Sequence, residues 1–262
     1  MEMKGKKALI TGASGGIGEA IATRLAEMGV EVLIHYHIQA DAARIVADNI
    51  KRKGGFADIV QADLSDAKQA IDLGEQAWAM LDGIDFLVNN AGVSYKKHFL
   101  DTTIADVDHF INVNFKGTLL LTQSIAKKMI ESSIEGSIST ITSINGLQPG
   151  VGLSVYGASK GALETLMKGV ALELAPHNIK VNTFAIGAIQ TDMNAETWQD
   201  PEKLKLVNEN IPLGRLGQAE EISAVICNLL TAGTYMTGAT ITIDGGWMLK
   251  HGYTNPKPYP KS

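Results

Sequence analysis

Apolar residues recur along the chain in two alternating patterns. Short apolar runs such as Lys6–Thr11 (KKALIT) and Glu31–Tyr36 (EVLIHY) predict β-strands, whereas helical spacing over Ile17–Met28 predicts an amphipathic helix. Further strands are predicted at Ala57–Ala62, Asp85–Asn89, Gly136–Thr142, Lys180–Ala185 and Thr240–Ile243. Further helices are predicted at Ala40–Lys53, Asp66–Leu81, Ile104–Ile130 (as two helices), Ser154–Ala175 and Glu220–Leu230. Such alternation predicts an α/β fold whose mostly parallel sheet carries helices on both faces.

The domain organisation follows from the same pattern. No linker rich in proline and glycine interrupts the alternation, so residues 1–262 are expected to form a single domain. The proline-containing segment 252–262 is expected to be a C-terminal tail outside the core, either a flexible arm or a strap at an interface.

Composition argues against several classes of protein. The 262 residues are 45% hydrophobic and 19% charged, as in soluble globular proteins. A net charge of −5 offers no general basic footprint for nucleic acid. No apolar run approaches the roughly 18 residues of a membrane span, and no apolar leader precedes the first strand. We therefore expect a cytoplasmic protein with no nucleic-acid or membrane partner.

A glycine-rich turn, Thr11–Gly18 (TGASGGIG), lies between the first predicted strand and the first predicted helix. Glycine permits a tight turn and lets backbone N–H groups approach a pyrophosphate, which the N-terminus of the following helix stabilises. The candidate phosphate-binding residues are Gly12, Ser14, Gly16, Ile17 and Gly18. The alternative is a strand-to-helix turn that binds no ligand.

Polar segments follow two later strands, at the edge of a parallel sheet where ligands bind. Asp63 ends the third strand and is placed to bond an adenine, although it could equally cap the helix that begins near Asp66. Asn89–Gly92 (NNAG) follows the fourth strand, with an ordinary polar turn as the alternative interpretation. The candidate cofactor contacts here are Asp63, Leu64, Asn90 and Gly92.

Tyr156 and Lys160 lie one turn apart on a predicted helix, where such side chains are neighbours. An ammonium close to a phenol favours the phenolate, so Lys160 is expected to lower the pKa of Tyr156 from its usual value of about 10. Ser143, upstream of this pair, could hold a substrate oxygen beside the phenol. Alone, Tyr-x-x-x-Lys is a common pair on helix surfaces; together with the glycine turn, it becomes a candidate catalytic pair.

These motifs, in this order, resemble those of the short-chain dehydrogenase/reductase family from Lys6 to about Gly246. The matching segments are the glycine turn, ADLSD around Asp63, NNAG, Asn114 in NVNFKG, Ser143, Tyr156 with Lys160, Asn182–Thr191 and Asp244–Gly246. The resemblance implies a doubly wound Rossmann domain and an NAD(P)-dependent oxidoreductase acting on a secondary alcohol or its carbonyl. It also implies a homotetramer.

The resemblance assigns catalytic roles to Asn114, Ser143, Tyr156 and Lys160. Tyr156 would exchange a proton with the substrate, and Ser143 would hydrogen-bond the reacting oxygen. Lys160 would also hold the nicotinamide ribose, and Asn114 would bend its helix and anchor a water. No cluster of His, Asp and Glu has the spacing of metal ligands, so no metal is expected.

The loop after the sixth predicted strand is also assigned by the resemblance. Gly187, Ile189 and Thr191 would contact the nicotinamide, although relatives usually carry Pro-Gly where this chain has Ile186-Gly187. The segment Asp192–Pro212 would form a lid over the substrate.

Cofactor preference is set at the end of the second strand, where NAD enzymes place an acid against the ribose 2′-hydroxyl. Alignment with the family puts Tyr36 at that position, followed by His37 as a candidate contact, while Gly15 stands where many NADP-preferring relatives carry a basic residue. Because no carboxylate repels a 2′-phosphate, NADP(H) is slightly favoured over NAD(H), and dual use stays open.

The substrate is expected to be a small alcohol or carbonyl compound such as a sugar or polyol, because Gly187–Leu213 resembles the glucose 1-dehydrogenase branch of the family. The alternative is a 3-oxoacyl-[acyl carrier protein] reductase. Glu131 and Glu135 would oppose an acidic carrier protein, which disfavours that alternative. A cofactor-binding regulatory protein without turnover is the non-enzymatic alternative.

Overall fold

The computed structural model describes residues 3–232 and 235–250. Within them, seven strands form one parallel sheet in the order β3-β2-β1-β4-β5-β6-β7. The strands are β1 (Lys7–Ile10), β2 (Glu31–Tyr36), β3 (Ala57–Gln61), β4 (Phe86–Asn89), β5 (Ser137–Ser143), β6 (Lys180–Ile186) and β7 (Thr240–Ile243). The doubly wound α/β fold is confirmed, whereas the predicted tail at 252–262 lies outside the described residues.

Ten α-helices occur in the described part of the chain. They are α1 (Gly16–Glu27), α2 (Ala40–Arg52), α3 (Ala67–Leu81), α4 (Ile104–Phe110), α5 (Thr118–Glu131), α6 (Ile144–Leu147), α7 (Ser154–Leu174), α8 (Ala195–Trp198), α9 (Pro201–Asn210) and α10 (Ala219–Ala232). The predicted helices agree with these closely, while α6, α8 and α9 come from segments without a strong apolar period.

Two hydrophobic cores sandwich the sheet. Ala8 and Ile10 of β1 point into a core covered by α1, α2 and α10, whereas Leu9 points into a core covered by α3, α5 and α7. Successive residues of a strand face opposite sides, so burial on both faces explains the continuous apolar runs in the strands. The neighbouring strands β1 and β4 mark the point where the strand order reverses, and their carboxyl ends open the crevice in which such folds bind ligands.

Candidate active site

The four proposed catalytic residues are brought together at the carboxyl ends of β4 and β5. Ser143 is the last residue of β5, Tyr156 lies in the first turn of α7, and Lys160 follows one turn later. Asn114 approaches from a π-helical segment, Ile111–Gly117, between α4 and α5. A Cβ at Gly92 would lie 3.0 Å from Asn114 Oδ1 and 3.1 Å from Lys160 Nζ, so a larger residue in the loop after β4 would press on both catalytic side chains.

Ser143 is held in place from both ends of its strand-to-helix turn. Its hydroxyl oxygen accepts the backbone N–H of Asn145 at 3.1 Å, which caps α6. The preceding residue, Thr142, donates its hydroxyl to buried Glu164 of α7 at 2.7 Å, and burial raises the pKa of that carboxyl. The end of β5 is therefore tied to the helix that carries Tyr156. Asn145 and Glu164 had no assigned role in the sequence, since neither belongs to a recognisable motif.

The pKa of Tyr156 is raised in the structure, although the sequence predicted that it would be lowered. Burial raises the pKa of this phenol above its usual value of 10.0, and hydrogen bonds from the hydroxyls of Ser143 and Ser94 oppose the rise only in part. The prediction that Lys160 lowers the pKa of Tyr156 is therefore wrong for this arrangement. The phenol is protonated near neutral pH, which suits a proton donor. Ser94 is a contact that sequence reasoning missed.

Lys160 is almost fully buried, with 5% of its surface exposed. Its ammonium donates to the carbonyl oxygen of Ile141 at 3.1 Å, and burial lowers its pKa from 10.5 to about 8. The charged form is disfavoured because the low-dielectric surroundings replace water. A lysine held in this way is more ready than a surface lysine to exchange a proton near neutral pH.

Asn114 joins the loop after β4 to α7. Its side-chain oxygen accepts the N–H of Val93 at 2.8 Å, and its amide donates to the Val93 carbonyl at 3.1 Å and to the Ser159 hydroxyl at 3.1 Å. The predicted distortion of its helix takes the form of the π-helical segment, a geometry that recurs at functional sites. The asparagine thereby fixes the backbone beside Ser94 and beside Lys160.

An aromatic stack supports the phenol on another side. The ring of Phe110 lies 6.0 Å from that of Tyr156, and Tyr95 stacks on Phe110 at 4.4 Å. The hydroxyl of Tyr95 donates to Asp106 at 2.9 Å, which anchors the outer end of the stack. Sequence reasoning missed these aromatics because their positions in the chain do not show that their rings meet.

The glycine turn has the shape of a phosphate cradle. Gly12 and Gly16 adopt φ values of +61° and +58°, the left-handed region that favours glycine. A Cβ at Gly18 would lie 2.6 Å from the side-chain nitrogen of Asn90 and equally close to the Gly12 carbonyl oxygen. Gly15 precedes α1 and offers no capping side chain, so the first N–H groups of the helix are available to an anion. These residues fit the pyrophosphate of a dinucleotide.

Asn90 fastens this cradle to the loop after β4. Its side-chain amide donates to the carbonyls of Thr11 and Gly12, both at 2.9 Å, and its N–H donates to the Thr11 hydroxyl at 2.9 Å. Asn90 was predicted as a cofactor contact, and its hydrogen bonds in the structure stabilise the glycine turn itself.

Asp63 does not cap α3, so that alternative is wrong. The cap is Asp66, which accepts the N–H groups of Lys68 and Gln69. Asp63 instead accepts the N–H of Ser65 at 2.8 Å and lies 3.6 Å from the ring of His37. Burial raises its pKa, but the contacts with Ser65 and then His37 outweigh this and lower it overall.

The remaining predicted cofactor contacts fall into exposed and buried groups. Ser14 is accessible, and its hydroxyl donates to Gln39 at 3.0 Å, beside the end of β2. Leu64 and Ile189 have side chains in the cores, so contact with a cofactor would involve their backbones. Ile17 likewise packs partly against the core at the start of α1.

Gly187 and Thr191 show how the loop after β6 is built. A Cβ at Gly187 would lie 2.7 Å from Asp244 Cα, a close approach that requires glycine even without the usual proline before it. The Thr191 methyl faces Gly16 of the phosphate cradle, 3.3 Å from where a Cβ would be. Trp198 donates its indole N–H to the Thr191 carbonyl at 2.8 Å, linking α8 to this loop.

Neither a metal centre nor a membrane-spanning helix is present among the described residues. Among the described residues, no group of three or more His, Cys, Asp or Glu is placed to hold a metal ion. No helix in 3–232 or 235–250 is long and apolar enough to cross a membrane.

A parallel Rossmann sheet, a glycine cradle after β1 and a Ser–Tyr–Lys group beside it define a nicotinamide-dependent oxidoreductase. The chain belongs to the short-chain dehydrogenase family: residues 6–202 match the family described as short chain dehydrogenase. It is 38% identical to the 3-oxoacyl-[acyl-carrier-protein] reductase FabG of Aquifex aeolicus over 94% of this chain and 98% of that protein. It is 34% identical to L-xylulose reductase of Bos taurus over 95% of this chain and 98% of that protein. A short chain dehydrogenase from Burkholderia cenocepacia, solved in complex with NADP, superposes on this structure with a TM-score of 0.87. The two sequences are 32% identical, and the match covers 95% of this chain and 100% of that one.

Proposed function

We propose that this oxidoreductase interconverts a secondary alcohol and a carbonyl of a small molecule such as a sugar or polyol, with Tyr156 as the group that moves the proton. The observation that carries the proposal is the placing of the Tyr156 phenol beside the Ser143 hydroxyl, next to the glycine cradle. A bound nicotinamide supplies or accepts the hydride. Carbonyl reduction is the direction for which the protonated phenol is ready.

Each of the chain's own groups has a separate task in that reduction. Tyr156 donates its proton to the carbonyl oxygen, and the Ser143 hydroxyl hydrogen-bonds the same oxygen as its negative charge develops. Buried Lys160, whose pKa is lowered to about 8, is ready to supply the proton that returns the remaining phenolate to its neutral form. Asn114 positions the loop and helix on which these groups depend.

A free small molecule is favoured over a carrier-bound acyl chain. Glu131 and Glu135 are exposed at the end of α5, and Glu135 accepts the side-chain amide of Asn178 near the end of α7. Lys128 of the same helix is paired with Glu75 at 2.7 Å. The resulting surface is less attractive to an acidic carrier. Of the two named relatives, L-xylulose reductase is named for a sugar substrate. FabG is named for a carrier-bound substrate, so a 3-oxoacyl-[acyl carrier protein] reductase is the alternative.

A substrate panel tests this proposal. Sugars, polyols, cyclic ketones and 3-oxoacyl esters, free and attached to acyl carrier protein, would be assayed with NADPH and NADH by nicotinamide absorbance. We expect a free small carbonyl compound to give the highest kcat/KM. A much higher kcat/KM with the carrier-bound ester would establish the reductase alternative, and no turnover with any compound would contradict the proposal.

We also propose that NADP(H) is preferred. The end of β2 presents Tyr36 and exposed His37 in place of an acid, and the Ser14 and Gln39 side chains meet nearby. Hydroxyl, amide and imidazole groups can hydrogen-bond a 2′-phosphate. The His37 imidazole lies 3.6 Å from Asp63 and is exposed at this edge, where a ring N–H can donate to a phosphate oxygen.

Tyr36→Asp is expected to reverse the cofactor preference. A carboxylate at the end of β2 would accept the ribose 2′-hydroxyl of NAD and repel a 2′-phosphate, so the ratio of kcat/KM for NADP to that for NAD should fall by about tenfold or more. The ratio within one variant is insensitive to partial loss of folding. Tyr36→Asn, of similar size but uncharged, is the control; equal ratios in the two variants would show that charge at this position does not select the cofactor.

We propose a homotetramer in which the outer face of α7 packs against a second copy. Ala162 is exposed, a Cβ at Gly169 would meet nothing within 4 Å, and Leu172 is 80% exposed. Gly161 of the same helix does not belong to this outer face, because a Cβ there would lie 2.8 Å from the Gly146 carbonyl oxygen of its own chain. Small residues on a helix face permit close approach of another helix.

Sedimentation velocity tests the assembly. The unaltered protein is expected to sediment as a tetramer, and Leu172→Glu is expected to dissociate it because a carboxylate would be buried in the interface. Lys51→Glu, at an exposed position of α2 on the opposite face of the sheet, tests whether any added acid has this effect. A monomeric unaltered protein would contradict the proposal.

The segment Asp192–Pro212 is proposed as the substrate lid. It begins beside Thr191, which Trp198 holds, and it ends where the Leu213 N–H donates to the Gly245 carbonyl at 3.1 Å. Both ends are therefore fixed to the body of the protein, while Met193 and Leu206 between them are exposed.

A further inference from the structure

His35 is a buried titratable residue to which the proposed chemistry assigns no task. It lies in β2 with 2% of its surface exposed. Its Nδ1 is 3.1 Å from the N–H of Gly12, and its Nε2 is 3.0 Å from the carbonyl oxygen of Ala62. Both ring nitrogens are thus engaged by backbone groups from two different loops.

These contacts define the state of the ring. The Gly12 N–H can only donate and the Ala62 carbonyl oxygen can only accept, so Nδ1 must be the acceptor and Nε2 must carry the hydrogen. That tautomer is neutral, and burial lowers the pKa of His35 to about 4, an effect that the hydrogen bond to the Ala62 carbonyl opposes only in part. The ring therefore keeps both bonds at neutral pH.

The two bonded groups belong to the two ends of the candidate cofactor site. Gly12 opens the phosphate cradle, and its left-handed backbone is pressed against Ala91. The His35 carbonyl also accepts the N–H of Ala13 at 3.0 Å. Ala62 directly precedes Asp63, the candidate adenine contact. His35 thus spans the sites for the pyrophosphate and the adenine.

We propose that His35 is a positioning residue for the dinucleotide, fixing the glycine turn relative to the loop after β3 through its two ring nitrogens. The inference rests on the proposed cofactor site. Of the two bonds, that to Gly12 matters more for binding, because it holds the turn whose N–H groups would face the pyrophosphate.

Two substitutions separate the bonds. The side-chain oxygen of asparagine is as many bonds from Cβ as Nδ1, so His35→Asn can still accept from Gly12. The side-chain nitrogen of glutamine is as many bonds from Cβ as Nε2, so His35→Gln can donate to Ala62 but leaves Gly12 without its acceptor. His35→Leu removes both. Binding of NADP⁺ and NAD⁺ would be measured by calorimetry, with the melting temperature recorded for each variant.

His35→Gln and His35→Leu are expected to raise Kd for the preferred cofactor by about tenfold. His35→Asn should stay within about threefold of the unaltered protein, even where its melting temperature falls as far as that of His35→Gln. Equal Kd values for the asparagine and glutamine variants would overturn the inference and leave the proposed function intact. An unaltered protein that binds neither dinucleotide would overturn both.

Discussion

Tyr156→Phe is expected to lower kcat by about 10²–10⁴-fold while cofactor binding persists. The substitution removes the proton that the carbonyl oxygen must receive but keeps the ring that packs 6.0 Å from Phe110. The folded structure should therefore survive. Steady-state kinetics together with calorimetric binding of the cofactor would measure the two effects separately.

Tyr95→Phe provides the matched control. Tyr95 belongs to the same aromatic stack, and its hydroxyl contacts Asp106 rather than the reacting groups. Its loss should change kcat by less than about tenfold, in keeping with the loss of one partly buried hydrogen bond. Near-normal turnover in Tyr156→Phe, or equal losses in both variants, would contradict the assignment of the proton donor.

Lys160→Met is expected to abolish most of the turnover and yet to stabilise the fold. Burial lowers the pKa of Lys160 from 10.5 to about 8. The folded protein therefore holds its ammonium less readily than the unfolded chain, at a cost of about 3 kcal/mol below pH 8. Methionine has a similar length and no charge, so the free energy of unfolding at pH 7 should rise by about 1–3 kcal/mol.

The stability difference between Lys160→Met and the unaltered protein should depend on pH. Between pH 8 and 10.5 the unfolded chain binds more protons at this position than the folded protein, so the stability of the unaltered protein gains from rising pH. The advantage of Lys160→Met should shrink over the same range. Urea unfolding at pH 7 and pH 9.5 would measure it, with the exposed Lys168→Met as control. A clear loss of stability at pH 7, or retained turnover, would count against this account of Lys160.

Much of the fold could be predicted because strands buried on both faces carry continuous apolar runs. The predicted bounds of Glu31–Tyr36 and Thr240–Ile243 agree with β2 and β7. The division of the helical region after β4 was predicted as well, but its π-helical segment was not. That segment depends on Asn114 reaching the Val93 backbone, a contact between distant residues that has no local pattern.

The protonation of the site could not be predicted from spacing alone. Tyr156 and Lys160 share a helix face, as predicted, but the pKa of each depends on burial by neighbouring elements. His35 illustrates the same limit, since its role depends on Gly12 and Ala62 meeting one ring from two loops. Sequence patterns identify which residues can react; the packing decides in which charge state they do so.

A crystal structure with NADP⁺ and an unreactive carbonyl analogue would test the central claim most directly. We expect the analogue's oxygen within about 3 Å of both the Tyr156 phenol and the Ser143 hydroxyl, with the nicotinamide ring against its carbonyl carbon. An analogue oxygen that contacts neither hydroxyl, or a nicotinamide ring lying away from them, would contradict it.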